Sequence, residues 1–116
     1  MSGLLGAMNT SLSGMQVETR RLSVIAHNIA NMNTNGFKAQ RVVSLEGSPN
    51  GVSSTVTETG QDNPLTIMDN EIVELSNTDL ATEIVNQRMA VAAFRANISV
   101  IKTADEMLGA TVNIRA

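Results

Sequence analysis

The sequence predicts a mainly α-helical chain: long N- and C-terminal helices paired antiparallel as a coiled coil, with a small β-hairpin insert between them. Three observations carry this expectation. Apolar residues recur in alternating steps of four and three at both ends of the chain. Clusters of Gly, Asn and Pro confine the β-prone runs to the middle. Aromatic residues amount to 2%, only Phe37 and Phe94, so Leu, Ile, Val, Met and Ala must fill the interior. That composition suits helices lying side by side better than a thick globular core.

The N-terminal segment, residues 1–36, carries a seam of Leu5, Met8, Leu12, Met15, Thr19, Leu22, Ala26 and Ile29. Its 3.5-residue spacing is that of a coiled-coil stripe. Gly3, Gly6 and Gly14 each weaken a helix by up to ~1 kcal/mol relative to Ala, so the first turns are expected to need a neighbour. The run Asn31-Met32-Asn33-Thr34-Asn35-Gly36 should end the helix, because Asn and Gly accept the left-handed conformation that closes it.

Residues 37–75 change character. Val52, Ser54, Val56 and Glu58 alternate with polar neighbours as one strand of a half-buried hairpin would, and Gln40–Leu45 and Leu65–Met68 are weaker strand candidates. Gly47-Ser48-Pro49-Asn50-Gly51 and Asp62-Asn63-Pro64 read as turns. The apolar area here is too small for an independent domain.

Residues 76–116 open on Ser76-Asn77-Thr78-Asp79, a helix start in which Ser or Asn can accept a free backbone N–H and Asp79 complements the helix dipole. A second seam follows: Leu80, Ile84, Gln87, Val91, Phe94, Ile98, Ile101, Asp105, Leu108 and Val112. It implies about 35 residues of helix, ~50 Å long. Ile25, Met89, Val100 and Met107 flank the two seams and leave apolar surface to be covered by partners.

At 116 residues the chain has the size of one structural unit. A net charge of −3 with scattered Lys and Arg argues against nucleic acid as a partner, and no apolar run is long enough to insert in a membrane. The start, Met1-Ser2-Gly3-Leu4-Leu5-Gly6-Ala7, lacks the positive region and apolar core of a cleaved signal peptide. Cysteine is absent and His27 is the single histidine, so neither a metal cluster nor a nucleophile–base pair can be drawn. Asp62, Asp69, Glu71 and Glu74 lack the spacing of a calcium loop and read as solvated surface. No cofactor and no catalytic residue is expected, and the chain should not be an enzyme.

The remaining polar feature is the cluster Asn28, Asn31, Asn33 and Asn35, which serves either as a helix cap or as a hydrogen-bond network registering one subunit on the next. The stretch Ala30-Asn31-Met32-Asn33-Thr34-Asn35-Gly36-Phe37-Lys38 resembles the N-terminal signature of the flagellar rod, hook and hook-associated protein family, with Asn35 in place of the usual Pro. The stretch Ser76-Asn77-Thr78-Asp79-Leu80-Ala81-Thr82-Glu83-Ile84-Val85-Asn86, continued through Phe94-Arg95-Ala96-Asn97 to Leu108, is similar to the family's C-terminal signature.

The resemblance implies a structural subunit that polymerises through its terminal helices with itself and with other flagellar rod or hook subunits. It further implies export by the type III apparatus without a cleaved signal, and a place in the periplasm-spanning rod of the basal body. Carried over by residue, Asn28, Asn31, Asn33, Thr34, Gly36 and Phe37 would form an assembly turn, and Ser76, Asn77, Asp79 and Leu80 the start of the C-terminal helix. The short insert points to the proximal rod. The competing expectation is a small coiled-coil adaptor or export chaperone that forms a discrete oligomer without polymerising.

Overall fold

The computed structural model describes residues 2–47 and 51–115, so the expected turn at residues 48–50 lies outside the described residues. Helix α1 spans Ser2–Ala30 and helix α2 Leu80–Arg115. Between them lie four strands: β1 (Gln40–Glu46), β2 (Val52–Glu58), β3 (Leu65–Met68) and β4 (Glu71–Glu74). The molecule measures 79 × 25 × 14 Å, with a radius of gyration of 20.1 Å. A compact chain of this length would have about 13 Å, so the shape is a rod.

The two helices run in opposite directions. A Cβ added at Gly14 would stand 2.9 Å from Asn97 Nδ2, and further along α1 Arg21 and Ile25 share a groove with Glu83, Asn86 and Ala90 of α2. The stripe that α1 turns inward is Ser11, Gly14, Val17, Ile25 and Asn28; that of α2 is Glu83, Ala90, Asn97 and Ala104. These residues also recur in steps near 3.5, and apart from Val17 and Ile25 they are small or polar. Close approach of the two helices is therefore what this contact exploits, and a side chain at Gly14 would first have to displace the Asn97 amide. Buried apolar residues are few (Val17, Ile25, Ala39, Val42, Ala90, Ala104), and the largest fully buried side chain is that of Asn28.

The expected single hairpin is replaced by two. Strands β1 and β2 pair antiparallel from Gln40↔Glu58 to Glu46↔Val52. This first hairpin lies along α1: Ser13 Oγ accepts the Val52 N–H at 3.0 Å, Arg20 donates to Ser54 O at 3.1 Å, and Arg21 donates to Val42 O at 3.1 Å. Strands β3 and β4 form the second hairpin, with Ile67 opposite Ile72. Its two-residue turn is Asp69-Asn70, both left-handed at φ 51° and 67°, the conformation that matches the twist of tightly connected strands. Neither β3 nor β4 packs on a helix or on the first hairpin, and Leu65, Ile67 and Ile72 are among the most exposed large apolar residues described.

Candidate functional site

The end of α1 is held by its own side chains. Asn31 Nδ2 donates to His27 O at 2.9 Å, and Asn31 Oδ1 accepts from Thr34 Oγ1 at 3.1 Å. One turn earlier, Asn28 exchanges two hydrogen bonds with the Gln40 backbone, accepting its N–H at 2.9 Å and donating to its C=O at 2.8 Å. The amide thus behaves as a neighbouring strand would, and it ties α1 to the first residue of β1. Gly36 follows at φ +75°, with its N–H donating to Glu74 O at 2.8 Å. Only a backbone without Cβ enters that region at no steric cost. Phe37 packs edge-on against His27 with ring centroids 5.4 Å apart, while Asn33 is exposed.

The second motif sits directly on the first. Asn77 Oδ1 accepts the Ala39 N–H at 2.6 Å, its Nδ2 donates to Gln61 O at 2.9 Å, and its own N–H reaches Phe37 O at 3.2 Å. Buried Ser76 closes a local turn by accepting the Thr78 N–H at 3.2 Å. Asp79 is the helix cap: Oδ1 accepts the Ala81 N–H at 3.1 Å, and Oδ2 accepts from Thr82 Oγ1 at 3.0 Å. Leu80, the first helical residue, is exposed. One polar junction thus joins the end of α1, the roots of both hairpins and the start of α2.

Two members of the junction were not anticipated in these roles. Asn63 is buried and bridges two carbonyls, Phe37 O at 2.9 Å and Leu75 O at 2.6 Å, while its Oδ1 has no partner. Asn77 was expected at a helix start and instead stitches three segments. An Asn-Pro pair announces a turn, as read for Asn63-Pro64, but the carbonyls that its side chain meets come from distant segments and leave no local signal.

The large apolar residues of the two seams are spread around the helix contact rather than hidden in it. Leu5, Leu12, Ile84 and Ile98 are exposed; Met8, Met15, Leu22, Ile29, Val91, Phe94, Ile101 and Leu108 are half-buried. Between α1, β1 and α2 lies a groove of about 300 Å³, walled by Val24, Ile25, Val42, Met89 and Ala93 and bordered by Glu18, Arg21 and Glu83. Arg21 Nε pairs with Glu18 at 3.2 Å. The described residues contain no group of acidic or histidine side chains placed to hold a metal ion. The arrangement offers surfaces for packing and no reacting centre.

Comparison with known proteins places this architecture. The model of the flagella basal body rod protein family matches residues 8–38, which carry α1 and the turn. A second, for the C-terminal region of flagellar basal body rod FlgEFG proteins, matches residues 70–114. Flagellar basal-body rod protein FlgC of Buchnera aphidicola subsp. Acyrthosiphon pisum (strain APS) is 30% identical over 133 residues, spanning 96% of this chain and 97% of that protein. The chain belongs to the flagellar basal-body rod protein family. A short segment is also 54% identical over 35 residues to the flagellar hook protein FlgE of Rhizobium meliloti (strain 1021), or 30% of this chain and 9% of that protein. This rod-family chain is a structural protein and not an enzyme. The two matched regions are the ones that meet at the junction of Asn28, Gly36, Phe37 and Asn77.

Proposed function

We propose that the chain is a structural subunit of the flagellar basal-body rod that assembles, with copies of itself and with other rod or hook subunits, through the outer faces of its terminal helices. The observation that carries this reading is the make-up of the helix pair: apart from Val17 and Ile25 the residues that face inward are small or polar, while Leu5, Leu12, Ile84, Val85, Ile98 and Val112 stand exposed. A monomer that leaves this many large apolar residues exposed has much to gain from neighbours that cover them. The 3.5-residue recurrence on both faces supports coiled-coil packing, within the subunit along the small stripe and between subunits along the large one. The junction residues Asn28, Asn31, Asn33, Thr34, Gly36, Phe37, Ser76, Asn77, Asp79 and Leu80 act in this reading by fixing the angle at which the helices leave the hairpins. A small intramolecular core also suits passage through the type III export apparatus in an unfolded state, on the way to the rod in the periplasm.

Ile98→Asp tests the proposal. Ile98 is 43% exposed, so the isolated chain should keep its helix content, whereas burial of an unpaired carboxylate against a neighbour costs several kcal/mol. In a strain lacking the gene, the variant should be synthesised, fail to enter isolated basal bodies and fail to restore swimming. Wild-type incorporation of the variant would overturn the assignment of this face. A wild-type chain found only as a discrete small oligomer, never in basal bodies, would favour an adaptor instead.

A further inference from the structure

The second hairpin and helix α2 carry opposite and unanswered chemistries. From Gly60 to Asp79 the chain holds five acids (Asp62, Asp69, Glu71, Glu74, Asp79) and no Lys or Arg. From Ile84 to Ala104 it holds Arg88, Arg95 and Lys102 and no acid. These three cations recur every seven residues, so they form one stripe with members about 10.5 Å apart. All three are exposed, and the only ion pair among the described residues is Glu18–Arg21. Between the first two cations runs a shallow groove floored by Val91 and Ala92.

The hairpin offers an apolar face with an acid at its edge. Leu65, Ile67 and Ile72 share one face, because Ile67 lies opposite Ile72 and alternate residues point the same way. Glu74, directly opposite Leu65, stands at the edge of that same face, whereas Glu71, opposite Met68, points to the other. An isolated two-stranded hairpin is at best marginal in water, and this one rests on no other element.

We infer that the face of Leu65, Ile67 and Ile72 docks on the Arg88–Arg95 stripe of a second copy of this chain, its Glu74 meeting the cations and its apolar residues covering Val91 and Ala92. This rests on the assembly reading above and names the surface and partner for one of its contacts. The two patches are different parts of the chain, so the contact is head-to-tail and propagates rather than closing as a dimer. It is steered by charge and weakened by salt.

The test uses the purified full chain and two charge reversals, Glu74→Arg and Arg95→Glu, neither of which alters the backbone bond from Gly36 to Glu74 O. Sedimentation velocity at low salt should show the wild type self-associating and each variant doing so about tenfold more weakly, the scale set by exchanging an attractive exposed pair for a repulsive one. An equimolar mixture of the two variants should regain association, because each hairpin then finds a helix of opposite sign. Wild-type association that neither reversal weakens, or a mixture no better than its components, overturns the docking while leaving the assembly reading intact. That reading falls separately, if the wild type never enters basal bodies. A wild type that stays monomeric at low salt also overturns the docking.

Discussion

Replacing Asn28 removes the one side chain that is fully buried and fully committed to another segment. Its amide makes two hydrogen bonds, 2.9 and 2.8 Å, to the N–H and C=O of Gln40. In Asn28→Ala both backbone groups lose their partner where only 1% of the residue is open to water. Each orphaned group costs about 1–3 kcal/mol, and together about 2–4 kcal/mol allows for partial rehydration. At roughly 4 °C per kcal/mol for a chain of this size, the midpoint of thermal unfolding should fall by about 10 °C. Circular dichroism at the helix band measures that shift, and hydrogen exchange localises it: the Gln40 amide should lose protection beyond the global effect. Asn28→Leu separates hydrogen bonding from packing, since it refills much of the volume without restoring either bond. A loss below about 0.5 kcal/mol for Ala, or full stability for Leu, would refute the argument that this amide anchors β1 to α1.

Further expectations concern the junction and the helix contact. Gly36→Ala should cost about 1–2 kcal/mol and Gly36→Val more, with Gly36→Asn best tolerated, because φ is +75° and no atom lies within 4 Å of an added Cβ; equal urea midpoints would mean the turn relaxes freely. Asp79→Ala should lose about 1 kcal/mol of stability, read by urea denaturation, whereas Asp79→Ser should keep most of it. At Gly14 the added methyl of Ala needs only the Asn97 amide to shift, and better helix propensity offsets that cost, so the urea midpoint should stay near wild type; Gly14→Leu should force the helices apart and cost about 1–3 kcal/mol.

Much of the framework was legible because local chemistry determines it. Asn31, Thr34 and Gly36 end α1 with short-range bonds, Asp79 caps α2 through its own next turn, and the alternation in Val52–Glu58 gives β2. The second hairpin was less legible. Glu71 and Glu74 are poor strand formers, and Asp69-Asn70 lacks the Gly that usually marks so tight a turn. The phase of the helix contact was hardest to read. Counting apolar residues finds Leu12, Met15 and Leu22, yet the neighbouring stripe of Ser11, Gly14 and Val17 has the same period and packs closer because it is small. Large residues announce themselves in a sequence whichever partner covers them, and periodicity cannot tell an intramolecular partner from an intermolecular one. Similarly, the pairing of Asn77 with Ala39 and Gln61 depends on segments that only the folded chain brings together.

Hydrogen exchange on the chain alone and after assembly tests the central claim most directly. The amides of Gly36, Ala39 and Gln40 should be protected in both states, held by Glu74, Asn77 and Asn28. The N-terminal half of α1 and the C-terminal half of α2, which pack only on each other and on a short hairpin edge, should gain protection on association. Terminal helices already fully protected in the isolated chain, with no change on assembly, would contradict the account.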